Sequence, residues 1–164
     1  MNPWRDILSV RLGEYAVARG EGRLAALGLG SCIAVLLHDG NARVGGLVHV
    51  VLPDRSFARD TANPAKFADV AVPFLVDQLR RAGAVPERLT ARLVGGACMF
   101  RDLLPPNVRH MGQRNLEAVR AALDVVGVPV VGEDVGDDFG RSVVFDVAQG
   151  TATVRTVGRG ERRV

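Results

Sequence analysis

The chain has 164 residues, enough for one domain with a full core and too few for two comfortable ones. Apolar residues make up 48% and charged residues 24%, which excludes a disordered or fibrous protein. The net charge of +3 arises from 21 basic and 18 acidic residues interleaved along the chain, with Lys66 the single lysine. The clustered basic stripe and interleaved aromatics of a nucleic-acid-binding face are missing, so no nucleic-acid partner is expected.

The longest uncharged stretch, Leu24 to Leu37, is 14 residues and is broken by Gly28, Gly30 and Ser31. It falls short of the roughly 20 residues that span a bilayer, so no membrane insertion is expected. The N-terminus, Met1 to Asp6, lacks the basic and then apolar order of a leader. Two cysteines, Cys32 and Cys98, do not suggest an oxidised scaffold, and free thiols in a cytoplasmic protein are the expectation.

In chain order, residues 7 to 18 read as two short strands or one bent strand around Gly13, and Leu24 to Leu29 as a further strand. Within residues 27 to 53, two β-like runs flank Gly40-Asn41, a two-residue hairpin signal in which glycine supplies positive φ, and the hairpin ends at Pro53. Asn63-Pro64 starts a helix whose apolar positions run from Phe67 to Ala82, with Pro73 inside it and Gly83 closing it. A strand from Leu89 ends at Gly95-Gly96. A second helix spans about 112 to 126 and stops at Gly127. Val128 to Val131, Ser142 to Val147 and Thr151 to Val157 are strand-like, and the Arg-rich tail, 159 to 164, reads as frayed.

Two helices and about eight strands that do not alternate regularly with them fit a doubly wound parallel sheet badly. The fold class expected is α/β of the α+β kind, a layered sandwich of mixed or antiparallel sheets with two main helices on one side. It forms a single domain over 1–164 with its core at about 7–158.

The hairpin holds the candidate chemistry. A two-residue Gly40-Asn41 loop sets Asp39 opposite Ala42 and, counting outward, Cys32 directly opposite His49. Opposed residues share a face with Cβ atoms roughly 4.5 to 5.5 Å apart, so a thiol meets an imidazole. Cys32 as nucleophile, His49 as general base and acid, and the Gly30-Ser31 crook as a source of oxyanion N–H donors fit amide hydrolysis. The bland alternative, a small buried cysteine beside a satisfied histidine, stays open on periodicity alone. Cys98 reads as structural, His110 as a loop residue and His38 as exposed. No His and Cys spacing suits zinc, and no metal or other cofactor is expected. Gly28-Leu29-Gly30 starts a dinucleotide fingerprint that Ile33 breaks.

Several linked runs narrow the choice. Gly13-Glu14-Tyr15-Ala16-Val17, Leu27 to Cys32, Val44 to Pro53, Lys66 to Asp69, Gly95 to Phe100 and Gly112-Gln113-Arg114-Asn115 strongly resemble the CheD family of chemoreceptor glutamine deamidases. The resemblance implies hydrolysis of chosen glutamine side chains to glutamate on the cytoplasmic helical hairpin of chemoreceptors, with glutamate methyl esters as a further substrate. It also implies a fold similar to that of toxin-type glutamine deamidases, Cys32 and His49 as the reacting pair, and in some members a CheC-type phosphatase partner. The family pattern has a threonine as third site member where this chain has Ala26. A hydroxyl is then lost, but a backbone carbonyl at Ala26 would serve, because an imidazole N–H needs only an acceptor. The alternative to an enzyme is a catalytically weakened module that binds the chemoreceptor or the phosphatase.

Overall fold

The computed structural model describes residues 6–164. Residues 1–5, part of the N-terminal stretch read above as lacking a leader, lie outside the described residues. In chain order the strands are β1 (Ile7–Ser9), β2 (Tyr15–Arg19), β3 (Arg23–Leu29), β4 (Ile33–Asp39), β5 (Val44–Val50), β6 (Thr90–Gly95), β7 (Val130–Val135), β8 (Arg141–Asp146), β9 (Thr151–Thr156) and β10 (Gly160–Arg163). The α-helices are α1 (Ala68–Arg81) and α2 (Met111–Val126).

Three layers result. The outer sheet runs β1-β3-β8-β9-β10 and the central sheet β2-β5-β4-β6-β7. Each is mixed, with one parallel pair, β1 with β3 and β6 with β7, among antiparallel neighbours. Both helices cover the far face of the central sheet, so the layered sandwich expected from the sequence is the observed fold.

The hydrophobic pattern follows from this layering. Every residue of β5 is buried, and all of β4 except His38, because both faces of the central sheet are covered. Ile33, Val35 and Leu37 pack under the helices with Leu75, Leu79 and Val119. Cys32, Ala34 and Leu36 face the outer sheet with Leu29, Phe145 and Val154. In the outer sheet β8 alternates, with Arg141, Val143 and Phe145 inward and their neighbours half-exposed, since one face meets solvent. Each fully buried leucine or phenylalanine contributes about 1.5–3 kcal/mol. Close approach of the layers depends on Gly45 and Gly46. A Cβ there would lie 2.8 Å from the Phe145 ring and 2.9 Å from Leu75 Cδ1.

Several sequence expectations need correction. The hairpin loop is four residues long, not two. Asp39 pairs with Val44, and its carboxylate accepts from the N–H groups of Asn41 and Ala42, so a side chain rather than a primed glycine turn closes the loop. Gly40 has no positive φ, while Arg43 does, at 53°. The helix read from Asn63-Pro64 begins instead as a 3-10 turn, Pro64–Lys66, which Asn63 caps by accepting from the Ala65 N–H. Phe67 is then extended, fully buried and bridged to Leu52, and α1 starts one residue later. Burying the Phe67 ring outweighs helical continuity there. The tail is not frayed: 160–163 forms β10 on β9, the Val164 N–H donates to the Ala152 carbonyl, and Arg92 holds the Val164 carbonyl. Helix α2 ends as expected, with Gly127 left-handed at φ 72°.

Candidate active site

His49 lies near the end of β5, the strand at which the chain from β1 to β2 closes. Its backbone N–H donates to the Glu14 carbonyl and its carbonyl accepts from the Gly13 N–H, both at 3.0 Å. The imidazole turns toward the outer sheet and is 3% exposed. Its Nδ1 donates to the Val10 carbonyl at 3.1 Å. A carbonyl can only accept, so this contact places the proton on Nδ1 and leaves the lone pair on Nε2. Nε2 has no hydrogen-bond partner among the described residues.

The acceptor expected from the sequence was the carbonyl of Ala26, and the structure assigns that place to Val10. Ala26 is fully buried within β3, paired with Val143 of β8. Val10 can take the role because its own N–H donates to the Ala25 carbonyl at 2.7 Å, which pins the segment after β1 against β3. The absence of a hydroxyl at Ala26 therefore leaves the Nδ1 side of the imidazole held.

Cys32 is the residue before β4 and is 9% exposed. It does not stand directly opposite His49. The four-residue loop moves the pairing by two, so that Ala34 faces His49 and Cys32 lies one diagonal step away. A shift of two keeps the face, and both side chains point between the sheets. Diagonal neighbours are roughly 7 to 8 Å apart at the backbone, and a long planar ring such as imidazole spans much of that gap. The segment carrying Cys32 is tightly held: the Gly30 carbonyl accepts from the Ala97 N–H and the Cys32 carbonyl from the Gly96 N–H, both at 2.9 Å. Gly30 and Ser31 are half-buried beside it.

A cavity of about 580 Å³ opens beside His49, with Val10, Leu12, Glu14, Leu27 and Gly28 also in its wall. Its edge is shaped by a bulge in β3 between Ala26 and Leu29, where Gly28 adopts φ 65° and its N–H donates to Ser142 Oγ. The bulge turns Leu27 outward to 60% exposure. Cys32 is not among the wall residues.

Electrostatics favour neutral partners in the resting site. Burial pushes the Cys32 thiol above its ordinary pKa. Burial also pushes the His49 imidazole below its ordinary value, opposed by the Val10 carbonyl and the Glu14 carboxylate. A neutral imidazole with a free Nε2 lone pair is the form able to accept a proton.

Other sequence candidates separate from this site. Cys98 is buried in the connection after β6, its N–H donating to the Asp137 carbonyl. His110 caps α2, with Nδ1 accepting from the Gln113 N–H. His38 is half-buried rather than exposed, and its Nε2 bonds the Val147 carbonyl at 2.8 Å. Among the described residues no group of three or more His, Cys, Asp or Glu side chains gathers where it could hold a metal. Among the described residues no helix is long and apolar enough to cross a membrane. Val10, Glu14 and Asn115 were missed as contributors. Val10 carries no side-chain signal, because only its backbone is used. Asn115 did carry one: it falls on the apolar stripe of α2 with Val119 and Ala122, where a polar residue needs a reason.

Residues 51–156 match the family described as CheD chemotactic sensory transduction. That stretch begins after both Cys32 and His49, and longer alignments to individual relatives include them. A protein of Desulforamulus reducens named "Probable chemoreceptor glutamine deamidase CheD" is 43% identical over 151 residues, covering 92% of this chain and 91% of that relative. Relatives of the same name are 44% identical in Moorella thermoacetica, over 93% and 92% of the two chains, and 36% identical in Clostridium novyi, over 98% and 99%. Among solved structures, YlmD from Geobacillus stearothermophilus is 19% identical with a TM-score of 0.47, over 74% of this chain and 50% of that one. With a family match over residues 51–156 and relatives above 40% identity along nearly the full length, this chain belongs to the CheD family.

Proposed function

We propose that this protein is a cytoplasmic, cysteine-dependent deamidase that hydrolyses selected glutamine side chains of chemoreceptors to glutamate. Family membership supports the substrate class. The observation that carries the chemistry is the buried His49 ring, anchored through Nδ1 to the Val10 carbonyl with Nε2 left unpartnered on the face it shares with Cys32.

The Cys32 thiol gives its proton to His49 Nε2 as Sγ bonds to the carboxamide carbon, and the carbonyl π pair moves onto oxygen. N–H groups of the Gly30-Ser31 crook, joined by that of Cys32, stabilise that oxyanion. The oxyanion then re-forms the carbonyl, the C–N bond breaks, and the imidazolium proton goes to the departing nitrogen, which leaves as ammonia. Water next attacks the thioester while Nε2 takes its proton; the C–S bond breaks, glutamate leaves, and the proton returns to Sγ. A glutamate methyl ester would follow the same route with methanol leaving. Because the resting pair is neutral, the thiolate forms as attack proceeds rather than beforehand.

Incubation with a cognate chemoreceptor cytoplasmic fragment, followed by mass mapping, tests this. Wild type should add about one dalton and one acidic charge at neutral pH per converted site, and Cys32→Ala should add none. An unchanged receptor mass with Cys32 reduced would sink the activity.

The burial of Cys32, outside the wall of the cavity at His49, favours a second reading: a module that engages chemoreceptor or a CheC-type phosphatase without turnover. Under it, Cys32→Ala leaves chemotaxis in swarm assays intact, whereas the deamidase reading requires a defect equal to deletion.

A further inference from the structure

The mechanism above does not use Asn115, the one fully buried polar side chain of α2. Its Nδ2 donates to the Ser31 and Val51 carbonyls, each at 2.9 Å, while its Oδ1 has no hydrogen-bond partner among the described residues. A buried acceptor left unsatisfied is costly, so its retention needs a reason. Helix α2 comes close enough to reach these carbonyls because residue 112 is glycine. A Cβ there would lie 2.5 Å from the Gly96 carbonyl oxygen and 2.6 Å from that of Ala97.

The two tethered carbonyls sit at telling places. Val51 follows the end of β5, two residues beyond His49, and Ser31 directly precedes Cys32. In a trans peptide, the C=O of one residue and the N–H of the next point to opposite sides of a rigid plane. The amide that grips the Ser31 carbonyl therefore fixes the direction of the Cys32 N–H, away from α2. The second tether, to Val51, stops the amide from rotating. The neighbouring carbonyls of Gly30 and Cys32 are held by the Ala97 and Gly96 N–H groups, so the middle plane is the one whose aim depends on Asn115.

We propose that Asn115 is a positioning residue that aims the Cys32 backbone N–H at the oxyanion formed when Sγ attacks a carbonyl carbon. The inference rests on Cys32 being the nucleophile. It predicts an effect confined to reactions that develop an oxyanion.

Two small reagents separate that effect from general loosening. Acetylation of Cys32 by p-nitrophenyl acetate forms an S–C bond, passes through a tetrahedral oxyanion and releases p-nitrophenolate. Alkylation by iodoacetamide displaces iodide at an sp3 carbon with no oxyanion. Rates at Cys32, located by mass spectrometry in the full chain, give a ratio of acylation to alkylation. In Asn115→Ala that ratio should fall at least tenfold, toward the roughly 10²–10³ that one oxyanion donor contributes. Should the cavity left by alanine prevent folding, Asn115→Leu fills the same volume without a donor and should show the same fall. Val119→Ala, one turn along the same buried face, should lower the melting temperature and leave the ratio unchanged. An unchanged ratio in a folded Asn115 variant, whether both rates drop together or neither does, overturns the proposal. Absence of Cys32 acylation in wild type overturns it along with the nucleophile assignment. A wild type that acylates normally but leaves chemoreceptor glutamines untouched counts against the substrate assignment alone.

Discussion

The two ends of the β4–β5 hairpin treat buried polar groups in opposite ways. At the closed end Asp39 is fully buried, yet its carboxylate accepts from the Asn41, Ala42 and Val85 N–H groups and from the Arg88 guanidinium, all at 2.8–3.2 Å. Burial pushes that carboxyl up, but the Arg88 and backbone hydrogen bonds outweigh it and hold it at about 2. At the open end, His49 Nε2 and Asn115 Oδ1 are buried without a partner among the described residues. Buried polar atoms are satisfied wherever structure alone is at stake, so the end that tolerates exceptions is where chemistry is expected.

Breaking the open end should cost activity and little stability. Cys32→Ala, which removes one sulfur from a segment held by its backbone, should abolish deamidation while shifting the urea midpoint by less than about 1 kcal/mol equivalent. His49→Gln should lower turnover by about 10²–10⁴, measured as ammonia release from a receptor fragment. A large stability loss in either would mean that the pair is core packing.

Breaking the closed end should do the reverse. Asp39→Ala strips three N–H groups and Arg88 of their acceptor and should cost about 2–4 kcal/mol in denaturant unfolding, with kcat on surviving folded protein near wild type. Acid titration sharpens the contrast. A carboxyl lower in the folded than in the unfolded chain contributes stability that is full above the unfolded value of about 3.9 and lost as pH falls through the folded value of about 2. Wild type should therefore weaken across that window more steeply than Asp39→Asn.

The smallest effect is a pH limb at the open end. Since burial lowers the His49 pKa, kcat/KM should rise along an acid limb whose midpoint lies below the ordinary histidine value of about 6.5. Since burial raises the Cys32 pKa, its iodoacetamide alkylation should climb on the alkaline side of an ordinary thiol. A thiolate already present at pH 7 would show that the resting pair is ionised.

The apolar runs of β4 and β5, the stripe of α2 and the glycine stop at Gly127 are all local features, and each appears where the pattern places it; the stripe of α1 does so only from Ala68, since Phe67 is extended. The pairing across the hairpin was harder to read. Gly40-Asn41 is a good primed-turn signal, but Asp39 offers its own hydrogen bonds to the loop and wins, moving the register by two. The assignment of Cys32 and His49 to one face survives only because an even shift preserves side-chain alternation. The order of the tail is not legible in the sequence, because the polar, Arg-rich residues at 160–163 gain it from β9 and not from their own propensity.

By itself, the amino-acid sequence determined the layers, the family and the two residues worth testing, because periodicity and linked motifs are written in side chains. Tertiary structure alone decided what holds them: the Val10 carbonyl on His49, the Asn115 amide on Ser31 and Val51, and the Gly28 bulge beside the cavity. Backbone carbonyls carry no residue-type signature, and every position has one. Which of them meets an imidazole is settled only when distant segments pack.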